Sequence, residues 1–208
     1  MEIHEVARAG AYALLARLMR GPPDGSLLRS LADMSIPDEG ESNLGDSWRS
    51  FIALSATVNE QDVYDEFMEI FLGVEAAQVY PYGSVHQSGY FMGSSLAALR
   101  TDLSRLGLAP RSTVHEPEDH IAALCEAMRF MLSDGCNGAS TSLETQAQFF
   151  RSHIAPWYGA FTDQLERAPS ANYYRSVARF ARAFFDVESS SFAPLEAGEF
   201  DVAAETEP

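Results

Sequence analysis

A chain of 208 residues with 46% hydrophobic side chains, 13 Phe and 8 Tyr has enough apolar mass for one substantial core, which excludes global disorder. Thirty Asp and Glu stand against fourteen basic residues, all of them arginine, for a formal charge of −16. Such a field repels phosphate backbones and anionic lipid, so it argues against nucleic acid and membrane surfaces as partners and favours a cationic one.

Residues 3–20 place Ile3, Val6, Leu14, Leu15, Leu18 and Met19 at helical spacing, and Gly21-Pro22-Pro23 stops that helix. Asp24 or Ser26 caps a short second helix through Leu27, Leu28 and Leu31, before Pro37 and an acidic loop. A third helix spans about Leu44 to Val58 with Trp48, Phe51 and Leu54. Asn59 caps a fourth, which ends at Gly73 and pairs an apolar stripe of Val63, Phe67, Ile70 and Phe71 with an acidic one of Asp62, Asp65, Glu66 and Glu69. Between residues 50 and 99 there are six acids and no arginine, a locally uncompensated charge. The stretch Val74 to Gly93 is aromatic yet rich in glycine and proline, and reads as an irregular loop.

Leu96 to Leu106 is the next helix. A sixth begins near Glu116, where Pro117 suits the first helical position and Glu118 and Asp119 face the exposed amides of the first turn. Ile121, Leu124, Cys125, Met128 and Leu132 give it one buried face up to Gly135. Apolar residues from Leu143 to Leu165 keep helical period, with Pro156 predicting a kink or restart. After Pro169, Tyr173 to Phe185 form a broadly apolar last helix. No basic residue follows Arg182, and seven acids lie between Asp186 and Pro208, the signature of a disordered acidic tail. The expected architecture is all-α: a single-domain helical bundle over residues 1–187 and a flexible tail over 188–208. The opening MEIHEVARAG is acidic and lacks an apolar core, and no run approaches the ~20 apolar residues of a membrane span, so a cytoplasmic protein is expected.

The densest chemistry is His115, Glu116, Glu118, Asp119 and His120, more ionisable groups than a helix start requires. The two histidines are five apart, whereas ligands on one helix sit four apart, so a metal is not expected. Cys125 and Cys136 are too few for a disulfide framework or a zinc site. Ser84, His120 and Asp119 make a poor hydrolase triad, because adjacent Asp and His on one helix cannot orient each other. No phosphate-binding loop is present in a chain without lysine. What remains suits binding a positively charged, partly apolar segment, with carboxylates taking arginine forks and aromatics taking the apolar part.

Glu116-Pro117-Glu118-Asp119-His120-Ile121 resembles the E-P-x-D-H-x signature of the TorD/DmsD/NarJ family of redox-enzyme maturation chaperones. Tyr64 through Phe71-Leu72-Gly73, then Tyr80-Pro81-Tyr82-Gly83-Ser84-Val85, is similar to that family's Y-x-x-L-F-x-G and P-Y-x-S-V segments. Val74 stands where a proline often follows, Tyr80 replaces the first of a proline pair, and Gly83 and His86 sit where Glu and Tyr are common. The resemblance implies a TorD-like bundle without enzymatic activity or cofactor of its own. It would bind the N-terminal, often twin-arginine, signal of a molybdoenzyme catalytic subunit and hold it for insertion of the molybdopterin cofactor. Tyr82, Ser84, Glu116, Asp119 and His120 would form the peptide site, supported by Pro81, Pro117, Asp65 and Glu66. It also implies a monomer or a domain-swapped homodimer, for which Gly107 to Thr113 is the expected hinge. A NarJ-like assembly factor for a non-exported subunit is the nearest alternative, and a small metal-dependent hydrolase using His115 or His120 a more distant one. On the chaperone reading, Asp119→Ala and His120→Ala are expected to weaken peptide binding and leave thermal unfolding nearly unchanged.

Overall fold

The computed structural model describes residues 3–34, 42–73, 76–89, 94–109, 116–133 and 141–193. Among them are ten α-helices and no strand: α1 (Ile3–Arg20), α2 (Gly25–Ala32), α3 (Asn43–Ser55), α4 (Glu60–Phe67), α5 (Gly83–Ser88), α6 (Ser94–Arg105), α7 (Ile121–Ser133), α8 (Leu143–His153), α9 (Tyr158–Arg167) and α10 (Tyr173–Phe192). The predicted caps are in place. Asp24 accepts the Leu27 amide at 2.9 Å and Asn59 the Gln61 amide at 2.8 Å, each satisfying a donor that the first helical turn leaves unpaired. Pro156 produces a restart, since α8 ends at His153 and α9 begins at Tyr158.

α1 lies along α7, and α10 packs against α3 and α9. The core between them is aromatic. Phe51 of α3 stacks on Phe180 of α10 at 5.8 Å, and Tyr12 of α1 meets Phe184 edge-on at 4.8 Å. Each such pair contributes about 0.5–1.5 kcal/mol beyond the area it buries. Two polar contacts tie this core: the Tyr174 hydroxyl donates to Leu18 O at 3.0 Å, and Ser55 Oγ and the Tyr173 hydroxyl bond at 3.2 Å.

Three departures from expectation have local causes. First, α10 runs five residues past the expected boundary at 187, because Glu188 and Phe192 are both buried and Glu188 pairs with Arg8 of α1. The residues from 194 onward lie outside the described ones. Second, α4 does not stay α-helical to Gly73. Met68–Leu72 form a π-turn, whose Ile70 carbonyl accepts the Gln78 and Val79 amides at 2.8 and 3.1 Å, folding the chain back over the helix end. Third, the aromatic stretch expected to be irregular contains α5, closed by Gly89 in the left-handed conformation at φ 80°.

Candidate functional site

Residues 116–120 do not begin a helix. They form turns ahead of α7, so Pro117 is not at a first helical position and the helix starts at Ile121. The reason is a competing partner: this segment runs antiparallel to residues 81–83. The Gly83 amide donates to Asp119 O at 3.0 Å and the Ile121 amide to Pro81 O at 2.9 Å, on either side of a bridge between Tyr82 and His120. Asp119 Oδ2 accepts the Ser84 amide at 2.7 Å, so a carboxylate 35 residues away caps α5. Asp119 and Ser84 are both buried, and Asp119 Oδ1 and Ser84 Oγ make no hydrogen bond.

His120 is buried as well, and its Nδ1 accepts the Ala122 amide at 3.1 Å. That bond needs a neutral ring with its proton on Nε2. Burial holds the imidazole below its ordinary pKa, helped by Arg20 and opposed by Glu116 and Asp119. The ring meets Tyr82 edge-on at 5.0 Å. The Tyr82 hydroxyl, pushed up to about 12 by burial and then by Glu116, stays protonated and points at Glu116 Oε1, 3.4 Å away. Glu118 is held by Arg100 of α6, whose Nε and Nη2 each donate to one carboxylate oxygen at 3.0 Å.

Pro81, Tyr82, Ser84, Glu116, Pro117, Asp119 and His120 therefore meet in one place, with Tyr82 half-buried and Glu116 exposed. Asp119 and His120 do not orient each other for catalysis, since the carboxylate holds a backbone amide and the ring caps its own helix. Among the described residues no three of His, Cys, Asp and Glu gather as a metal site would require. Nor is any helix among them long and apolar enough to cross a membrane. His115, Cys136 and the 110–113 part of the expected hinge lie outside the described residues.

The two acids expected to support the site are engaged elsewhere. Glu66 accepts the amides of Asn172, Tyr173 and Tyr174 at 2.9, 3.0 and 2.7 Å, capping α10. Asp65 is exposed on α4 and accepts the side-chain amide of Gln61 at 2.9 Å. Sequence reading also missed Trp157, which underlies the bridge. A Cβ on Gly83 would come within 2.9 Å of its Nε1, and His86 stacks on its ring at 5.4 Å. The departures at Gly83 and His86 are the available signal, since both residues face one indole.

The burial of Asp119 corrects the expectation that its removal leaves stability alone. Asp119→Ala strips α5 of its cap, with an expected loss of about 1–2 kcal/mol in urea unfolding, and Asp119→Asn, which keeps an acceptor, loses less. His86 and His120 both have pKa values lowered chiefly by burial from an ordinary 6.5. The unfolded chain therefore takes up protons that the folded chain does not. Their contribution to stability is complete above that value and is lost as pH falls through it. Unfolding free energy is expected to be lower near pH 5.5 than near pH 7.5, and the difference to shrink in a His86→Asn/His120→Asn variant. A flat profile in wild type would contradict this.

Residues 38–163, more than half of the chain, match the family described as nitrate reductase delta subunit. The chain belongs to this family. It is the TorD/DmsD/NarJ family named by the motifs, whose two signature segments are those joined by the Tyr82–His120 bridge. Chaperone protein TorD of Vibrio cholerae serotype O1 is 27% identical over 142 residues, 64% of each chain. The probable Tat proofreading chaperone DmsD of Haemophilus influenzae is 26% identical over 121 residues, 57% of this chain and 56% of that one. Chaperone protein YcdY of Escherichia coli is 29% identical over 143 residues, 69% of this chain and 70% of its own. The similarity thus spans less than two thirds of the TorD relatives' length.

Proposed function

We propose that the chain is a cytoplasmic chaperone, not an enzyme, that binds the N-terminal, twin-arginine-type signal of a molybdopterin-dependent oxidoreductase subunit and holds it until cofactor insertion and assembly. One observation carries the reading: the two signature segments of the family are hydrogen-bonded into a single site, presenting the Tyr82 hydroxyl and the Glu116 carboxylate at its edge. Behind that edge, Ser84, Asp119 and His120 fix the two backbones. Charge complementarity supports the cationic client, since the chain carries −16 overall. The Tat proofreading name borne by one relative supports the twin-arginine signal, and the chaperone names of the three relatives support the absence of catalysis.

The test is calorimetric titration with twin-arginine signal peptides encoded beside the chain's gene, and with Arg→Gln versions of each. Micromolar binding that weakens in the Arg→Gln peptides is expected, and no binding by any peptide would sink the reading. A second reading has its own support in the family description, nitrate reductase delta subunit: an assembly factor for a non-exported subunit. It expects binding to a catalytic-subunit N-terminus that lacks the arginine pair.

A further inference from the structure

α4 and the π-turn after it bury Val63, Phe67, Ile70 and Phe71 on one side and leave three large apolar side chains on the other. Tyr64, Met68 and Leu72 are 45%, 37% and 61% exposed. Along an α-helix, residues four apart drift about 40° around the axis. A π-turn closes on the fifth residue and rotates less per step, so the second interval swings back and brings Leu72 into line with Tyr64. The result is a straight apolar ridge about two turns long.

Acids run beside it. Asp65 and Glu69 form the parallel row and Glu60 stands at the amino-terminal end, all three exposed, and no cation among the described residues pairs with them. At that same end a groove of about 490 Å³ opens between the Pro22-Pro23 turn and α4, with Asp24, Glu60 and the Tyr64 ring on its walls. Arg17 reaches Asp24 at 3.6 Å, and the Arg29 guanidinium and the Glu60 carboxylate both lie against Gly25, which leaves Glu60 near one guanidinium and ion-paired with none among the described residues. A concave acidic end with an aromatic wall takes a guanidinium, through carboxylate bonds and the ring face. An apolar ridge takes side chains spaced at i, i+3 and i+4 of a helix.

We propose that this ridge is the docking surface for the signal: an arginine seats in the groove at Glu60 and Tyr64, and the apolar stretch that follows lies as about two helical turns over Met68 and Leu72. The inference rests on the function proposed above and adds a contact surface separate from the Tyr82–Glu116 edge. A second copy of the chain is the poorer occupant, because its own ridge brings the same unpaired acids against these.

The experiment titrates the full chain with the twin-arginine peptides, comparing wild type with Met68→Asp/Leu72→Asp and with Glu60→Gln. Both substitutions lie at exposed positions, and unchanged circular dichroism and thermal unfolding confirm that the variants are folded. At least about a tenfold loss of affinity is expected for the double variant, the scale of a removed interface anchor. Glu60→Gln is expected to abolish most of the preference for the native peptide over its Arg→Gln version. If wild type binds and both variants bind equally well, the ridge is overturned and the chaperone reading stands. If wild type binds none of the peptides, both fall. If light scattering finds a dimer that the double variant dissociates, the ridge is a self-association surface and the proposal is overturned.

Discussion

Arg8→Met is expected to destabilise the protein by about 3 kcal/mol or more, the usual consequence of stranding one member of a buried ion pair. Arg8 Nε and Nη2 donate to the two carboxylate oxygens of Glu188 at 2.7 and 2.8 Å, and the Tyr12 hydroxyl donates to Oε2 at 2.8 Å. The exposures are unequal, 20% for the arginine side chain and 2% for the glutamate. Removing Arg8 therefore leaves a charge that water cannot reach, whereas removing Glu188 leaves a guanidinium that can turn outward. Glu188→Gln, which still accepts from Tyr12, is expected to lose about half as much, by the same reasoning. The apolar double variant Arg8→Met/Glu188→Leu should recover much of the loss. Urea unfolding of wild type, Arg8→Met, Glu188→Leu and the double variant closes the cycle, and a double-variant loss equal to the sum of the two single losses would show that the pair is not coupled.

Glu66→Ala should lower stability by about 2–3 kcal/mol, combining a lost helix cap with a lost favourable charge at a helix start. Three amides at the start of α10 converge on this carboxylate, and the residue in the capping position, Asn172, contributes no side-chain bond. Glu66→Gln keeps one acceptor oxygen and is expected to fall between. Below the unfolding transition, peptide affinity should be unchanged in Glu66→Gln. A loss of affinity in a folded Glu66→Gln protein would return this residue to the binding site.

Helix identity was legible because burial imposes a period that survives without tertiary context, as in Ile121, Leu124, Cys125, Met128 and Leu132. Caps at Asp24 and Asn59 were legible for the same reason, since the donor and acceptor are neighbours in the chain. Everything decided by distant partners was hidden. α5 needs the Asp119 carboxylate at its start, and a carboxylate in a polar run reads as solvent-facing. The start of α7 moved from Glu116 to Ile121 because Asp119 O and the Ile121 amide serve residues 81–83. Glu66 sat in an acidic stripe, and nothing local marked it as the one acid whose partners lie more than 100 residues on. The meeting of the two signature segments was foreseeable only through their motifs, because neither stretch carries a period that points at the other. The exposed line of Tyr64, Met68 and Leu72 was obscured by the π-turn, which changes the angular step within a single helix.

The pairing of Arg8 with Glu188 joins residues 180 positions apart. During synthesis, the first helix leaves the ribosome long before its ionic partner has been translated, at rates of about 5–20 residues per second. α1 and α7 can meet early, but the aromatic core stays open until α10 emerges and brings Phe180, Phe184 and Phe185 onto α3 and α1. The core is thus closed last, by α10, whose final turn around Glu188 and Phe192 completes the tie across α1.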